Sequence, residues 1–513
     1  MGPMSRLTRI SILLAVFFAL DKAAGFIRQI IVAKIFGMSD LLDAFNVANN
    51  IPDMLYALIS GGALAIAFIP VLTGTITQEG RDSGWKLFSR VVNLVFLVTA
   101  VLSVVVFFLA EPLVRSRVGV APGFGPEQQA LVVQLMRLNL IGTLIFSVSG
   151  LVMAGLQSNQ HFLLPALAPL VYDIGQIFGA LVLVPKEPFA FGPVTLPAAG
   201  LGVQGLVIGS IIGAALHLAV QIPGLIRYKF RWSPSLGLKT EGVQRVLALM
   251  GPRLLTMIYI QGVYLLRDNL ASRLKTGSVT ALTYGWMLMQ IPETIIGTTI
   301  GTALLPTLSE YAAAKDDDAF HATLQRAVRV LAGITIPIAA VMGGGIGPLL
   351  GMVFGFGPEG TQTLLWTTRG FLLGIAGHSL MEVAARSFYA RQDARTPLIT
   401  GWISFAFYIA IASLLFRPLG PAGISLTDSI IFTAQPIALL IILTRRMGRP
   451  IKLGSTLPRA LGAAITGGGL ALFIANLSWT ASHPLFGGLA ALAAGALLIL
   501  PWIWQELRLL LKL

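Results

Sequence analysis

Two arginines interrupt strongly apolar stretches of this 513-residue chain and hold matched places in two similar motifs. Arg28 lies in GFIRQIIVAKIFG and Arg267 in LLRDNLASRLKTG, and a second basic residue follows each of them six positions later. An arginine in the core of a bilayer costs about 2.5 to 3.5 kcal/mol on insertion scales and normally faces protein or water. The planar guanidinium suits phosphate oxygens. The pair therefore predicts an anion-binding cavity between two halves of the chain.

The composition indicates which elements must position these arginines. Hydrophobic residues make up 55% of the chain and charged residues only 11%, with a mean hydropathy of +0.81. A soluble domain carries about 25% charged residues, whereas apolar runs of about 20 residues are typical of membrane-spanning helices. We predict an all-α polytopic membrane protein. Because the chain has no cysteine, neither a disulfide nor a thiolate metal site is expected.

The apolar runs predict fourteen transmembrane helices with both termini in the cytoplasm. The first helix is expected to be retained rather than cleaved as a signal peptide, since Asp21 and Lys22 follow its first apolar run and the pattern then resumes to Phe36. The helices are placed near 7–36, 42–71, 85–110, 128–156, 162–184, 198–226, 244–274, 279–309, 322–349, 362–390, 397–416, 421–444, 457–477 and 485–507.

The distribution of basic residues favours this topology. Most of the 36 Lys and Arg residues fall in the expected cytoplasmic segments, which follows the positive-inside rule. This explains the net charge of +14 without nucleic acid as a partner. The expected outside segments hold few basic residues, namely Lys34, Arg115, Arg117, Lys186, Arg273, Lys275 and Arg417.

An internal repeat predicts the domain organisation. AFIPVLT at 67–73 matches ALLPTLS at 303–309, and Pro52 and Pro292 match upstream of them. Each copy holds six helices, so the two copies have the same orientation and are related by a pseudo-two-fold axis along the membrane normal. We expect an N-lobe at 1–228, a C-lobe at 229–447 and two extra helices at 448–513. Such paired bundles are typical of alternating-access transporters.

Matched prolines and glycines in helices two and eight suggest hinges. Pro52 and Pro292 each remove a backbone donor inside a span, and Gly61 and Gly297 lie nearby. Proline and glycine are also simply frequent in membrane helices. Only their repetition at equivalent sites favours a hinge.

Further polar residues surround the first arginine in the sequence. Asp21 and Arg28 share one helical face, while Lys22 and Gln29 lie together on its flank. Asp43 lies near the start of the second helix, where it could bias the helix N-terminus. We predict a substrate-binding set of Arg28, Arg267, Lys22, Asp43 and Gln29. The alternative is that the charges form buried ion pairs that only lock the packing.

The remaining polar residues predict neither an enzyme nor a cofactor. Asp173, Glu382 and Asp428 could bind a proton or cation, but a hydrogen-bonded packing role is favoured for each. His378 and Glu382 share a face, yet two ligands are too few for a metal site. The glycines at 343–345 lack the lysine of a phosphate loop. No catalytic constellation emerges, so we expect no enzymatic activity.

Several motifs resemble those of the MurJ (MviN) family of lipid II flippases in the MOP exporter superfamily. They are GFIRQIIVAKIFG at 25–37, DAF at 43–45, AFIPVL at 67–72, GTALLPTLS at 301–309 and SFYARQDARTPL at 387–398. The resemblance implies two six-helix lobes in a V, with helices thirteen and fourteen forming a groove for a lipid tail. It also implies transfer of the undecaprenyl-pyrophosphate-linked peptidoglycan precursor to the outer leaflet of the bacterial cytoplasmic membrane. Arg28, Lys22 and Asp43 match family positions.

The chain departs from that family pattern at several charged positions. Proteobacterial-type relatives carry an aspartate after the cavity arginine, an Arg-Arg pair in helix two, and an Asp-Arg pair and a glutamate in helix eight. The acidic residue that some relatives use for sodium in helix eleven is missing as well, so Arg28 and Arg267 would carry more of the pyrophosphate recognition. The residues at the changed positions are Gln29, Tyr56, Ala57, Trp286, Met287 and Gln290.

Three alternative functions stay open at this stage. A flippase for another polyprenyl-linked glycan would share the architecture. A cation-coupled drug exporter of the same superfamily would more naturally use buried carboxylates than arginines. A non-transporting scaffold for cell-wall synthesis enzymes, which are also conceivable partners of a flippase, would need no cavity.

Overall fold

The computed structural model describes residues 6–59, 62–191 and 194–510. The described chain is almost entirely helical and divides into two compact units, Met1–Asn269 and Leu270–Leu513. The prediction of an all-α membrane fold is confirmed.

The first unit contains nine α-helices, a π-helical turn and a small hairpin. The π-helical turn spans Gly179–Leu183, and strands β1 (Phe189–Phe191) and β2 (Val194–Leu196) pair antiparallel with Phe189 opposite Leu196. The helices are α1 (Arg6–Phe36), α2 (Asp40–Ile59), α3 (Gly62–Glu79), α4 (Arg81–Arg115), α5 (Pro126–Ser158), α6 (Leu163–Phe178), α7 (Val203–Ala219), α8 (Ile222–Arg227) and α9 (Glu241–Ala271).

The second unit contains eleven further α-helices among the described residues. A π-helical turn at Thr294–Thr298 separates the first two of them. They are α10 (Ser278–Glu293), α11 (Thr299–Ala313), α12 (Asp317–Gly345), α13 (Gly347–Phe354), α14 (Pro358–Leu372), α15 (Ile375–Ala390), α16 (Arg395–Leu419), α17 (Pro421–Met447), α18 (Thr456–Ala475), α19 (Ser478–Ser482) and α20 (Pro484–Leu510).

Each of the fourteen predicted spans coincides with a helical segment, although several are interrupted. Among the described residues nine helices are long and apolar enough to cross a membrane, or ten if Glu241–Gly251 and Arg253–Ala271, which meet at 42°, form one span. The first predicted span carries Asp21, Lys22 and Arg28, and the eighth is divided by the π-helical turn.

The division between the units lies later than the expected lobe boundary after residue 228. Helix α9 belongs to the first unit because it packs there at both ends. Near its start Gly242 lies against Leu87, and a Cβ at this glycine would be 2.9 Å from Leu87 Cδ1. Near its end the Asn269 amide donates to the backbone oxygen of Arg117 at 3.1 Å.

Glycines bring α6 and α7 into close contact. A Cβ on Gly179 would lie 2.6 Å from the Cα of Gly209, and the two α-carbons face each other across the helix pair. Small residues at such a crossing let membrane helices pack backbone to backbone. This packing fixes α6, which carries Asp173, within the first unit.

The turn between α15 and α16 explains the ARQDARTP motif. Gln392 has a positive φ of 59°, and Asp393 then accepts hydrogen bonds from the backbone nitrogens of Arg395 and Thr396 at 3.0 Å. The Asp393 carboxylate also pairs with Arg446 of α17 at 2.7 Å. Partial burial alone raises the pKa of Asp393, but the hydrogen bonds from Thr396 and the Arg446 guanidinium outweigh it and lower the pKa to about 2.

We predict that Asp393→Asn lowers the thermal stability of the purified protein by about 1 to 2 kcal/mol at neutral pH, because it weakens a helix cap and an ion pair. The folded pKa lies below that of an unfolded aspartate, so this stabilisation is complete above about pH 4 and is lost as the pH falls through about 2. Thermal midpoints of both proteins across this range measure the difference. Glu187→Gln, at an exposed loop carboxylate, serves as the control. A gap between the Asp393 variant and the parent that does not narrow with acid would contradict the assignment.

Candidate functional site

Arg28 forms an ion pair inside the membrane-spanning part of the first unit. Its Nη1 lies 3.1 Å from Oδ1 of Asp173 on α6, and the two side chains are 22% and 8% exposed. Gly25 lies one turn before Arg28 on α1, and a Cβ there would be 3.3 Å from Asp173 Oδ2. Glycine at this position therefore leaves room for the carboxylate beside the guanidinium.

Polar groups of α6 and α7 extend this pair into a network. The Gln176 amide donates to the Tyr172 hydroxyl and to Ser210 Oγ, both at 2.7 Å. Arg28 interacts electrostatically with Tyr172, and Asp173 does so as well. The network places several hydrogen-bonding side chains around one intramembrane cation.

Asp53 of α2 also belongs to the electrostatic surroundings of Arg28. Asp53 is exposed on the folded chain, although it follows the buried Pro52 in the middle of the helix. The sequence contained a signal for this residue, because an acidic group inside an apolar span is functional by default. Asp53 and Asp173 are the two site residues that the predicted binding set missed.

Lys22 lies in the same group of charges. It is 3.7 Å from Asp21, its side chain is 78% exposed, and both residues interact electrostatically with Asp173. Gln29 is partly buried beside Arg28. Asp21 and Arg28, which share one face of α1, therefore both interact electrostatically with Asp173 of α6.

Asp43 occupies a different position from these residues. It is 1% exposed in the first turn of α2. The ten residues between Asp43 and Asp53 correspond to about 15 Å of helix. Burial and this separation place Asp43 apart from the exposed acid of the same helix.

Arg267 is a second buried basic residue in the first unit. It is 9% exposed, its guanidinium lies 4.9 Å from the centroid of the Tyr264 ring, and its Nε is 3.9 Å from Asp268 Oδ1. Asp268 is the next residue on the same helix, and the 3.9 Å distance makes this a loose pair. Asp268 in turn accepts a 2.6 Å hydrogen bond from Asn50 of α2. The Arg267 Nε is buried without a hydrogen-bond partner among the described residues.

The predicted hinge in α10 coincides with an irregular backbone. Pro292 is buried and directly precedes Glu293 and the π-helical turn Thr294–Thr298. Gly297 lies in this turn, and a Cβ there would be 2.8 Å from the Cα of Ser379 on α15. A π turn next to a proline provides a point where a helix can bend. Of the other hinge candidates, Pro52 is buried inside α2, whereas Gly61 lies outside the described residues.

One of the positions at which the sequence departs from the expected family pattern packs on aromatic rings. Trp286 contacts Phe371 at 5.4 Å and His378 at 5.2 Å between ring centroids. Met287 is partly buried, and Gln290 is exposed. Tyr56 packs on Phe146 of α5 at 5.5 Å, and Ala57 follows it in α2.

The weaker polar candidates have packing partners. The Tyr408 hydroxyl donates to Asp428 at 3.4 Å, Arg137 donates to the backbone oxygen of Phe107 at 3.0 Å, and Arg369 donates to that of Gly343 at 2.8 Å. Across the described residues no three histidine or acidic side chains group together as metal ligands.

Comparison with known proteins identifies the family. The family model described as lipid II flippase MurJ matches residues 32–490. The lipid II flippase MurJ of Burkholderia cenocepacia is 30% identical over 442 residues, which cover 84% of this chain and 82% of that protein. The probable lipid II flippase MurJ of Thermotoga maritima is 27% identical over 438 residues, covering 85% and 84%.

Solved structures show the same fold. An inward closed conformation of lipid II flippase MurJ superposes with a TM-score of 0.79 at 20% identity, covering 98% of this chain and all of that chain. An inward-facing multidrug resistance MATE transporter of the MOP superfamily gives 0.69 at 13% identity, covering 83% and 94%. Since the family model spans most of the sequence and the Burkholderia relative is 30% identical over 84% of this chain and 82% of its own length, the chain belongs to the lipid II flippase MurJ family.

Proposed function

We propose that this chain moves lipid II, the undecaprenyl-pyrophosphate-linked peptidoglycan precursor, from the cytoplasmic to the outer leaflet of the bacterial cytoplasmic membrane by alternating access. Its family membership and the names of its relatives support this function. The observation that carries it is the partly exposed Arg28 guanidinium held by Asp173 inside the membrane-spanning region. Neither nucleic acid nor a cofactor enters the proposal.

Arg28 suits a pyrophosphate because its fork offers more donors than one carboxylate engages. Guanidinium has five N–H donors, and the contact with Asp173 uses Nη1 at 3.1 Å. A pyrophosphate oxygen can therefore approach the remaining donors or compete with Asp173 for the cation. We assign Asp173 the role of holding Arg28 in place and charge-balanced when the site is empty.

We propose a different role for each of the other predicted binding residues. Lys22 is exposed and belongs to the same charge cluster, so it would attract the anionic head group before Arg28 binds it. The Arg267 Nε is buried and has no hydrogen-bond partner in the part of the chain that the structure describes, so Arg267 would supply a second cationic contact. Gln29 lies on the flank of Arg28, whereas buried Asp43 would act on the N-terminus of α2 rather than on substrate.

The transport step does not require ATP in this scheme. An inside-negative potential favours outward movement of negative charge by about 2.3 kcal/mol per charge per 100 mV. The hinges at Pro52 and at Pro292 with Gly297 would allow the helices to bend during the cycle. We also propose lobes at 1–228 and 229–447, with 448–513 providing the groove for the lipid tail and cell-wall synthesis enzymes as candidate partners.

Removal of the arginine tests the function. We expect Arg28→Ala to abolish growth rescue of a flippase-depleted strain, because Asp173 is left as an unpaired intramembrane charge and the pyrophosphate contact is lost. Breaking one partner of a buried pair costs about 3 to 5 kcal/mol, so membrane levels must be measured by immunoblot. Arg137→Ala, which removes an arginine that contacts Phe107, serves as the control and should rescue growth.

The double variant Arg28→Gln with Asp173→Asn separates binding from packing. It removes both charges at similar volume, so folding should survive while lipid II accumulates and growth fails. Full growth of the double variant at normal membrane levels would show that the pair only locks the packing.

The proposed hinge predicts a second loss. Gly297→Ala would force a Cβ against the Ser379 backbone, and we expect it to lower stability by about 1 to 3 kcal/mol and to impair growth rescue. Gly74→Ala on α3 is the matched control, since nothing lies within 4 Å of its added Cβ. Thermal midpoints and complementation measure both variants. Equal behaviour of the two variants would argue against the close approach and the hinge.

The N-in, C-in topology can be tested with single cysteines, since the chain has none of its own. We predict that Lys239→Cys, in the loop after α8, is labelled by a membrane-impermeant maleimide only after the inner membrane is opened. Glu187→Cys, before β1, should be labelled in intact spheroplasts. Both positions are exposed. The reverse labelling pattern would contradict the proposed orientation.

A further inference from the structure

A second group of charges lies in the second unit, around the π-helical turn after α10. Glu382 and Arg386 form an ion pair on successive turns of α15, and Arg386 Nη2 also donates to Thr302 Oγ1 at 3.3 Å. Gly301 makes room for this guanidinium, which a Cβ at that position would meet. Arg386 is therefore engaged by Glu382 and by α11.

Glu293 adds a second carboxylate to this one guanidinium. Among the described residues Glu382 repels its negative charge and Arg386 attracts it. The other charged residues of the neighbouring helices are Glu310 of α11, the group at 317–329 of α12, Glu359 and Arg369 of α14, and Asp428, Arg445 and Arg446 of α17, with the titratable His378 on α15. With both carboxylates ionised, the cluster would hold one uncompensated negative charge in a membrane helix bundle. Such a charge is costly and is normally neutralised by a proton or a cation.

Ser379 supplies independent evidence for a ligand beside Glu293. Its side chain is fully buried, and its Oγ has no hydrogen-bond partner within the described ranges of the chain. This Oγ and Glu293 Oε1 lie 2.6 and 2.7 Å from the same point, the position that a Cβ on Gly297 would occupy. A buried hydroxyl without a partner costs about 1 to 3 kcal/mol, so a hydrogen bond between Ser379 and Glu293 across the space beside Gly297 would be favourable.

We propose that Glu293 is a proton-binding site of the second unit. The carboxylic O–H faces Ser379 Oγ across the space beside Gly297, and Thr298 Oγ1, 3.3 Å from both carboxylate oxygens, donates to the group. Arg386 pairs with Glu382, so its guanidinium is already engaged by that carboxylate. The proton removes the excess negative charge and gives Ser379 its partner. Loss of the proton restores repulsion from Glu382 next to the Pro292 bend.

This site adds to the proposed function an ion that binds during the transport cycle. Only the role of the proton in transport rests on the proposed function. Proton binding itself is a property of the purified chain. It can therefore be measured without lipid II, so that its failure is distinct from a failure of transport.

The test is infrared difference spectroscopy of the full-length protein in lipid nanodiscs during a pH change. We expect a protonated-carboxyl band at neutral pH that disappears in alkali. Glu293→Gln should remove this band, whereas Glu310→Gln, at an exposed carboxylate of α11, should leave it unchanged. A parent protein without the band, or a band that survives Glu293→Gln in folded protein, would overturn the proposal.

A second variant tests the hydrogen bond. Ser379→Ala should retain the band but shift it to higher frequency, because the carboxyl O–H loses its acceptor. No shift would overturn the assigned partner and the site geometry. Addition of Na⁺ at constant pH should leave the band unchanged. Its disappearance on Na⁺ addition would instead assign the site to a metal cation and overturn the proton.

Discussion

The ion pair between Arg28 and Asp173 is the interaction on which the first unit depends. A charge inside a membrane helix bundle must be paired or hydrated, and here the pairing requires that two distant helices hold their positions. Gly25 leaves space for the carboxylate, and Gly179 and Gly209 fix the crossing of α6 with α7. Substitution at these glycines would thus act on the arginine at a distance. The Arg28 side chain is 22% exposed and that of Asp173 is 8% exposed.

The second unit uses its polar residues differently from the first. Trp286 packs on the aromatic ring of Phe371, and two carboxylates and one arginine lie at the π-helical turn. The first unit thus holds an intramembrane arginine paired with an aspartate, whereas the second holds an acidic group beside a bend. This difference fits a division of labour between substrate recognition and control of helix bending.

Much of this was predictable from sequence because the bilayer imposes strong patterns. Apolar runs located all fourteen helical segments, and the cost of an intramembrane charge singled out Arg28 and Arg267. Partners across helices were not predictable, since no periodicity in α1 indicates that Asp173 of α6 lies beside Arg28. Asp53 was missed although its position in an apolar span was a usable signal. The place of α9 in the first unit depends on tertiary contacts such as that of Gly242 with Leu87.

The most direct test of the flippase function is a measurement of lipid II transfer across a bilayer of defined composition. The purified chain would be reconstituted into vesicles that carry lipid II with a fluorescent head group in both leaflets, and an impermeant quencher would be added outside. If the chain is a lipid II flippase, nearly all of the fluorescence becomes accessible to the quencher in vesicles with the protein, while about half stays protected in protein-free vesicles. The same protected fraction of fluorescence with and without the protein, in vesicles shown to contain the protein, would contradict the flippase function.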